Sequence, residues 1–209
     1  MRQRKFALLP KFRIITSMNE STRIITVSGR IGAGSTTLAK GLAHHLGWKH
    51  IEGGEIFWEA IRAKMDVDTK DTNLRPDEED QLFDDQLKKI LAENKNIVLE
   101  TKLAGFNAQG IDGVFKVLVV CEDRVGVDQT QMRIDRLVNR EGKNMEDAKN
   151  EVIEREHNDL EKWRHMYADD SKDWVYYNPE YYDLVINTFE HSKDETLKIV
   201  LEKLDIHNG

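Results

Sequence analysis

Apolar positions along the chain fall into two rhythms. Compact, β-branched runs occur at Arg23 to Ser28, Trp48 to Ile51, Asn96 to Glu100, Phe115 to Cys121 and Tyr182 to Thr188. Runs that are apolar at nearly every position read as strands buried on both faces. Between them the spacing changes to three and four. It predicts helices over Leu38 to Leu46, Glu55 to Met65, Pro76 to about Glu93, Val127 to Arg140, and Met145 towards Tyr167. Ser192-Lys-Asp-Glu195 is a capping box that opens a last helix to about Leu204. In the third helix Leu82, Phe83, Leu87, Ile90 and Leu91 form the apolar face. Pro76 sits in its first turn, and Asp77 to Asp80 read as a solvated acidic start. Asp66 to Arg75 and Asp169 to Pro179 are loops. Strands alternating with helices give an α/β fold, a three-layer, doubly wound parallel sheet with ligands at the strands' C-terminal ends.

One junction carries chemistry. After the first strand comes Ser28-Gly-Arg-Ile-Gly-Ala-Gly34-Ser-Thr-Thr37, and then a helix. Gly29, Gly34 and Thr36 meet the phosphate-loop pattern G-x-x-x-x-G-K-[ST], while its lysine position holds Ser35. In such a loop, backbone N–H groups from Gly29 through Arg30, Ile31, Gly32, Ala33, Gly34, Ser35, Thr36 and Thr37 form a nest for phosphate oxygens. The helix N-terminus adds partial positive charge. Thr36 offers a hydroxyl to Mg²⁺, and Glu100, at the end of an apolar strand, is the acid expected to share that metal. The topology places the loop, Glu52–Glu55, Glu100–Gly105 and the turn after Asn187 around one pocket.

A second group is cationic. Arg133, Arg136 and Arg140 share one helix face, and Arg155 and Arg164 lie on the next helix. They can pair with nearby acids, or bind phosphate oxygens bidentately and supply the charge that Ser35 does not.

Composition narrows the field. The 209 residues suit one domain, and a formal charge of −7 speaks against binding nucleic-acid polymers. The single Cys121 fits a reducing compartment, and no apolar run approaches the roughly 20 residues that span a bilayer. We expect a cytoplasmic monomer with a loosely ordered leader over residues 1–20 and one domain over 21–209.

Five motifs in order carry a family resemblance: the phosphate loop, Gly54-Glu-Ile-Phe57, Leu99-Glu-x-x-Leu-Ala-Gly105, Arg133-x-x-Arg136-x-x-x-Arg140-Glu-Gly142, and Asp183-Leu-Val-Ile-Asn-Thr188. Together they resemble cytidylate kinase of the short archaeal type. The resemblance implies a nucleoside monophosphate kinase fold with a five-stranded parallel core. It implies an acceptor-binding segment over about 53–95 and a short LID over about 133–165. It implies transfer of the ATP γ-phosphoryl group to CMP or dCMP with Mg²⁺. On this basis Gly54, Phe57, Arg62, Lys102, Gly105 and Arg155 would hold the acceptor. Arg133, Arg136, Arg140 and Ser35 would act on the transferring group. The chain departs from the pattern at Ser35, at Trp58 where arginine is usual, and at Thr101-Lys102 where the family carries Gly-Arg. A P-loop kinase with another small acceptor, or a nucleotide-binding regulator that transfers weakly, are the alternatives these departures leave.

Overall fold

A computed structural model describes residues 22–54, 76–142 and 144–204. Five strands, β1 (Ile24–Gly29), β2 (Lys49–Glu52), β3 (Ile97–Glu100), β4 (Val114–Val120) and β5 (Leu184–Asn187), form one sheet in the order β2-β3-β1-β4-β5. Every pairing is parallel. Side chains alternate across it. Ile25, Val27, Val98, Val117 and Val119 pack with α1 (Ser35–Leu46) and the last helix, whereas Ile24, Ile97, Leu99 and Val114 pack with Leu87 and Leu91 on the opposite layer. Both faces being covered is why these runs lack polar alternation.

Helix α2 (Asp77–Glu93) corrects two expectations. Pro76 is its N-cap rather than part of its first turn. The acidic start is solvated only at Asp77 and Glu78: Glu79 and Asp80, and Asp84 one turn on, are buried on the stripe that continues through Leu87 and Leu91, while Leu82 is 54% exposed. Asp80 and Asp84 are matched from other elements, whereas both Glu79 carboxylate oxygens are buried with no hydrogen-bond partner among the described residues. Asp84 accepts from Asn107 Nδ2 at 2.7 Å and from the Tyr167 hydroxyl, and Lys162 reaches Asp80 at 2.6 Å.

A short helix, α3 (Ala104–Asn107), follows β3. Helix α4 spans Thr130–Glu141, starting later than the apolar spacing suggests. The Asp123 carboxylate accepts from the amides of Val125 and Val127, which holds 123–127 in a turn and leaves both valines exposed. Beyond Gly142 comes α5 (Met145–Lys149), a π-helical stretch over Asn150–Arg155, and α6 (Glu156–Tyr167). What reads in sequence as one uniform helix therefore contains a wide turn, which rotates Arg155 and Glu156 relative to the residues before them. The capping box of Ser192 and Glu195 is present at α7 (Lys193–Lys203). Residues 1–21 and 55–75 lie outside the described residues, and with them the leader, the helix expected over Glu55 to Met65 and about half of the segment over 53–95.

Candidate active site

Strand β1 ends at Gly29, and α1 begins at Ser35 with Gly34 as a left-handed N-cap that makes no side-chain cap. The first amides of α1 are therefore not taken up by a cap side chain. Gly32 lies at φ +77°, and a Cβ there would stand 2.5 Å from the Arg133 carbonyl oxygen, so only glycine fits. Ser28 pins the loop's base to the β3–α3 turn: its hydroxyl donates to the Thr101 carbonyl (3.1 Å) and accepts from the Gly105 amide (3.0 Å).

Thr36 and Glu100 meet. The Thr36 hydroxyl donates to Glu100 Oε1 at 2.6 Å, and Ser35 Oγ lies 3.3 Å from the same oxygen. His50 Nε2 is 3.1 Å from Glu100 Oε2. Among the described residues no three His, Cys, Asp or Glu side chains converge on one point. One hydroxyl and one carboxylate of hard oxygen character suit Mg²⁺, which keeps waters and takes further ligands from substrate phosphates. The donor set fits that ion.

The arginines divide into two groups. Arg133 is 1% exposed and its guanidinium is fully engaged. It donates to the Ile31 carbonyl (2.7 Å) and pairs with Glu156 (2.9 Å) and Asp128 (2.8 Å). Arg30 of the loop pairs with the same two acids, and the Glu156 carboxylate also accepts from the Ile31 amide at 3.2 Å. Burial works against the Arg30 charge, yet Glu156 and Asp128 outweigh it and raise its pKa. Arg136 donates to Ala33 O (3.1 Å), Thr188 Oγ1 (2.9 Å) and Thr188 O (2.9 Å). Arg133 and Arg136 thus grip the loop's own carbonyls and link it to the end of β5. Arg136 also lines the cleft beside the loop, next to Gly32, Gly34 and Thr37.

Arg140 and Arg155 occupy the other position. With Arg30, Gly32, Ser35, Thr36 and Glu151 they line a cup of about 150 Å³ over the loop. Arg155 is held by Glu151 at 2.7 Å, and its Nε is buried without a hydrogen-bond partner. A larger adjoining cleft of about 480 Å³ lies between α4 and the turn after β5, lined by residues including Thr37, Asn139, Arg140, His191 and Ser192. The strand-end rule pointed to this turn, but nothing in the sequence singled out Asn139 or His191.

On the other side of the loop, Lys102 is ion-paired with Asp159 and lies 5.7 Å from the centre of the Trp163 ring. Burial lowers the Lys102 pKa, and Asp159 opposes the shift. Gly105 is buried against an aromatic wall, where an added Cβ would fall 2.2 Å from the Tyr182 ring, so it faces Tyr182. Gly54 is exposed, and an added Cβ would meet none of the described residues within 4 Å. Phe57, Trp58 and Arg62 lie outside the described residues. Sequence reasoning gave no role to Asp128, Glu156 and His50, none of which belongs to a local pattern; Thr188 closes a family motif, but its contact with Arg136 was not foreseen.

Comparison with known proteins narrows the family. The AAA domain family model matches residues 28–154. The cytidylate kinase of Methanopyrus kandleri is 31% identical over 184 residues, covering 87% of this chain and 93% of that protein. That of Haloarcula marismortui is 31% identical over 188 residues, covering 88% and 91%. In fold the chain is similar to shikimate kinase from Bacteroides thetaiotaomicron, with TM-score 0.57 and 19% identity over 88% of this chain and 98% of that one. It is also similar to a gluconokinase from Sinorhizobium meliloti, with TM-score 0.53 and 14% identity over 90% and 93%. With a phosphate loop, a parallel five-stranded sheet and full-length similarity of this kind, the chain belongs to the cytidylate kinase family.

Proposed function

We propose that the protein transfers the γ-phosphoryl group of ATP to CMP or dCMP, giving ADP and CDP or dCDP. The observation that carries the reading is the cup itself, with Arg140 and Arg155 facing the loop above the Thr36–Glu100 pair. The loop amides receive the donor's β- and γ-phosphates, and the cleft beside α4 takes its base. Thr36 and Glu100 would hold Mg²⁺, which when bound would neutralise phosphate charge. An oxygen of the acceptor phosphate attacks the γ-phosphorus in line. The new O–P bond forms as the bridge to the β-phosphate breaks, and the electron pair leaves on ADP. Arg140 and Arg155 stabilise charge on the moving group, while Arg133 and Arg136 keep the loop in shape. Lys102 faces the acceptor phosphate, exchanging part of its pairing with Asp159.

Within one domain over 21–209 we assign the segment about 53–95 to the acceptor and about 133–165 to the LID. The protein acts as a monomer on free nucleotides in the cytoplasm. No helix among the described residues is long and apolar enough to cross a membrane. The regulator alternative is disfavoured because a mere binder has no use for two cations over the loop. The test is a panel of nucleoside monophosphates and small hydroxyl acceptors with ATP and Mg²⁺, read by ADP release. CMP and dCMP should head it; a lead for AMP or a sugar with CMP inert overturns the assignment.

A further inference from the structure

Glu100 is gripped from two sides. Its Oε1 receives the hydroxyls of Thr36 and Ser35, and its Oε2 lies 3.1 Å from His50 Nε2. His50 comes from the neighbouring strand β2, where its Cα partners Val98, two residues before Glu100 and on the same face. Both side chains are largely buried, 19% exposed for His50 and 8% for Glu100. An ionised carboxylate only accepts, so the ring nitrogen facing it carries a proton and donates.

The two grips are not equivalent. In the reading given above, Thr36 turns a lone pair to the cation while its one hydroxyl proton holds Oε1, so neither it nor Ser35 reaches Oε2 to fix the other end of the carboxylate. His50 lies outside the cup that takes the phosphates and can hold Oε2 throughout. We propose that His50 is a positioning residue for the metal: it anchors the Glu100 carboxylate at Oε2 so that Oε1 stays aimed at the metal position beside Thr36. The inference rests on Glu100 serving the metal. Outer partners of metal-ligating groups typically change metal affinity by about 10–100-fold when removed. They leave binding of the metal-free ligand alone.

The measurement is Mn²⁺ affinity in the complex with a non-hydrolysable ATP analogue, by electron paramagnetic resonance. Binding of the same analogue in EDTA and the melting temperature are recorded alongside. His50→Leu should weaken Mn²⁺ roughly 10-fold or more with analogue affinity in EDTA unchanged. His50→Gln, whose amide nitrogen reaches about as far as Nε2, should restore most of the loss. His50→Asn, polar but one bond short, should not; this pair carries the test if the leucine variant fails to fold. Glu100→Gln calibrates the site. If it abolishes the metal-dependent gain while His50→Leu and His50→Asn bind Mn²⁺ as the wild type does, His50 merely satisfies a buried carboxylate and the proposal falls. If Glu100→Gln itself leaves Mn²⁺ affinity unchanged, the metal reading of Glu100 fails and the role of His50 falls with it.

Discussion

Lys102 carries its charge where burial opposes it, and the consequence is legible in pH. Its pKa is lowered from 10.5 by burial, with Asp159 pulling the other way. A lysine with a lowered pKa sheds its proton earlier as pH rises, and a neutral amine no longer attracts the acceptor's phosphate. KM for CMP should therefore climb on the alkaline side, starting below the range of an ordinary lysine. Lys102→Arg should flatten that limb, since guanidinium stays charged throughout. Identical alkaline limbs in the two proteins would remove Lys102 from the acceptor site. Gly105 makes a second, purely steric case. The family motif drew it into the acceptor set, yet its Cα lies against the Tyr182 ring, whose hydroxyl donates to the Tyr176 carbonyl at 2.8 Å. Gly105→Ala should cost about 1–3 kcal/mol through overpacking. Differential scanning calorimetry would register the loss, and an unchanged melting temperature would mean the wall yields freely.

Among the elements, α4 separates two kinds of arginine that sequence spacing alone treats alike. Arg133, Arg136 and Arg140 share a face, but of the three it is Arg133 that pairs with Asp128 and Glu156, and Glu156 lies 23 residues away across a π-helical turn. No local pattern announces that partner. Removing one member of a buried ion pair strands the others, at roughly 3–5 kcal/mol. Arg133→Ala should lower the melting temperature by roughly 6 °C or more in a chain of this size. Its ATP affinity should fall with it, because the Ile31 carbonyl loses its hold. Arg140→Ala, at an exposed position, should cost less melting temperature than Arg133→Ala and cut turnover by roughly 10³-fold, as cations acting on a transferring phosphoryl group do. The reverse pattern in thermal melts and steady-state kinetics would return Arg133 to the transferring group. Helix α2 teaches the same point from packing. The spacing of Asp80, Asp84, Leu87 and Leu91 marks one stripe, but acids on it read as solvent-facing until Asn107, Tyr167 and Lys162 are seen to satisfy them.

For the whole molecule, what could be read in advance was what local physics writes into the chain. Strands covered on both faces leave uninterrupted apolar runs, and the phosphate loop needs glycines at set spacing, so sheet and loop were both evident. Partners brought together by folding were not, and the candidate site depends on several: His50 on Glu100, Thr188 on Arg136, Asp128 and Glu156 on Arg30. The charge contacts of Arg30 and Arg133 with Asp128 and Glu156 also bear on timing. Asp128 stands just before α4 and Glu156 opens α6, so both ends of the helical hairpin are moored to the loop. The stretch between the moorings carries Arg140 and Arg155, turns at Gly142 with φ +64°, and includes the π-helical residues. Hydrogen exchange should then divide there. The amides of Ile31 and Arg133 should exchange equally slowly with and without nucleotide, whereas those from Gly142 to Arg155 should slow only when an ATP analogue and CMP are both bound. A loop whose exchange quickens in the free protein would refute the mooring. If that division is found, each turnover begins on a phosphate seat already in its working shape, and what is left to move is one short hairpin.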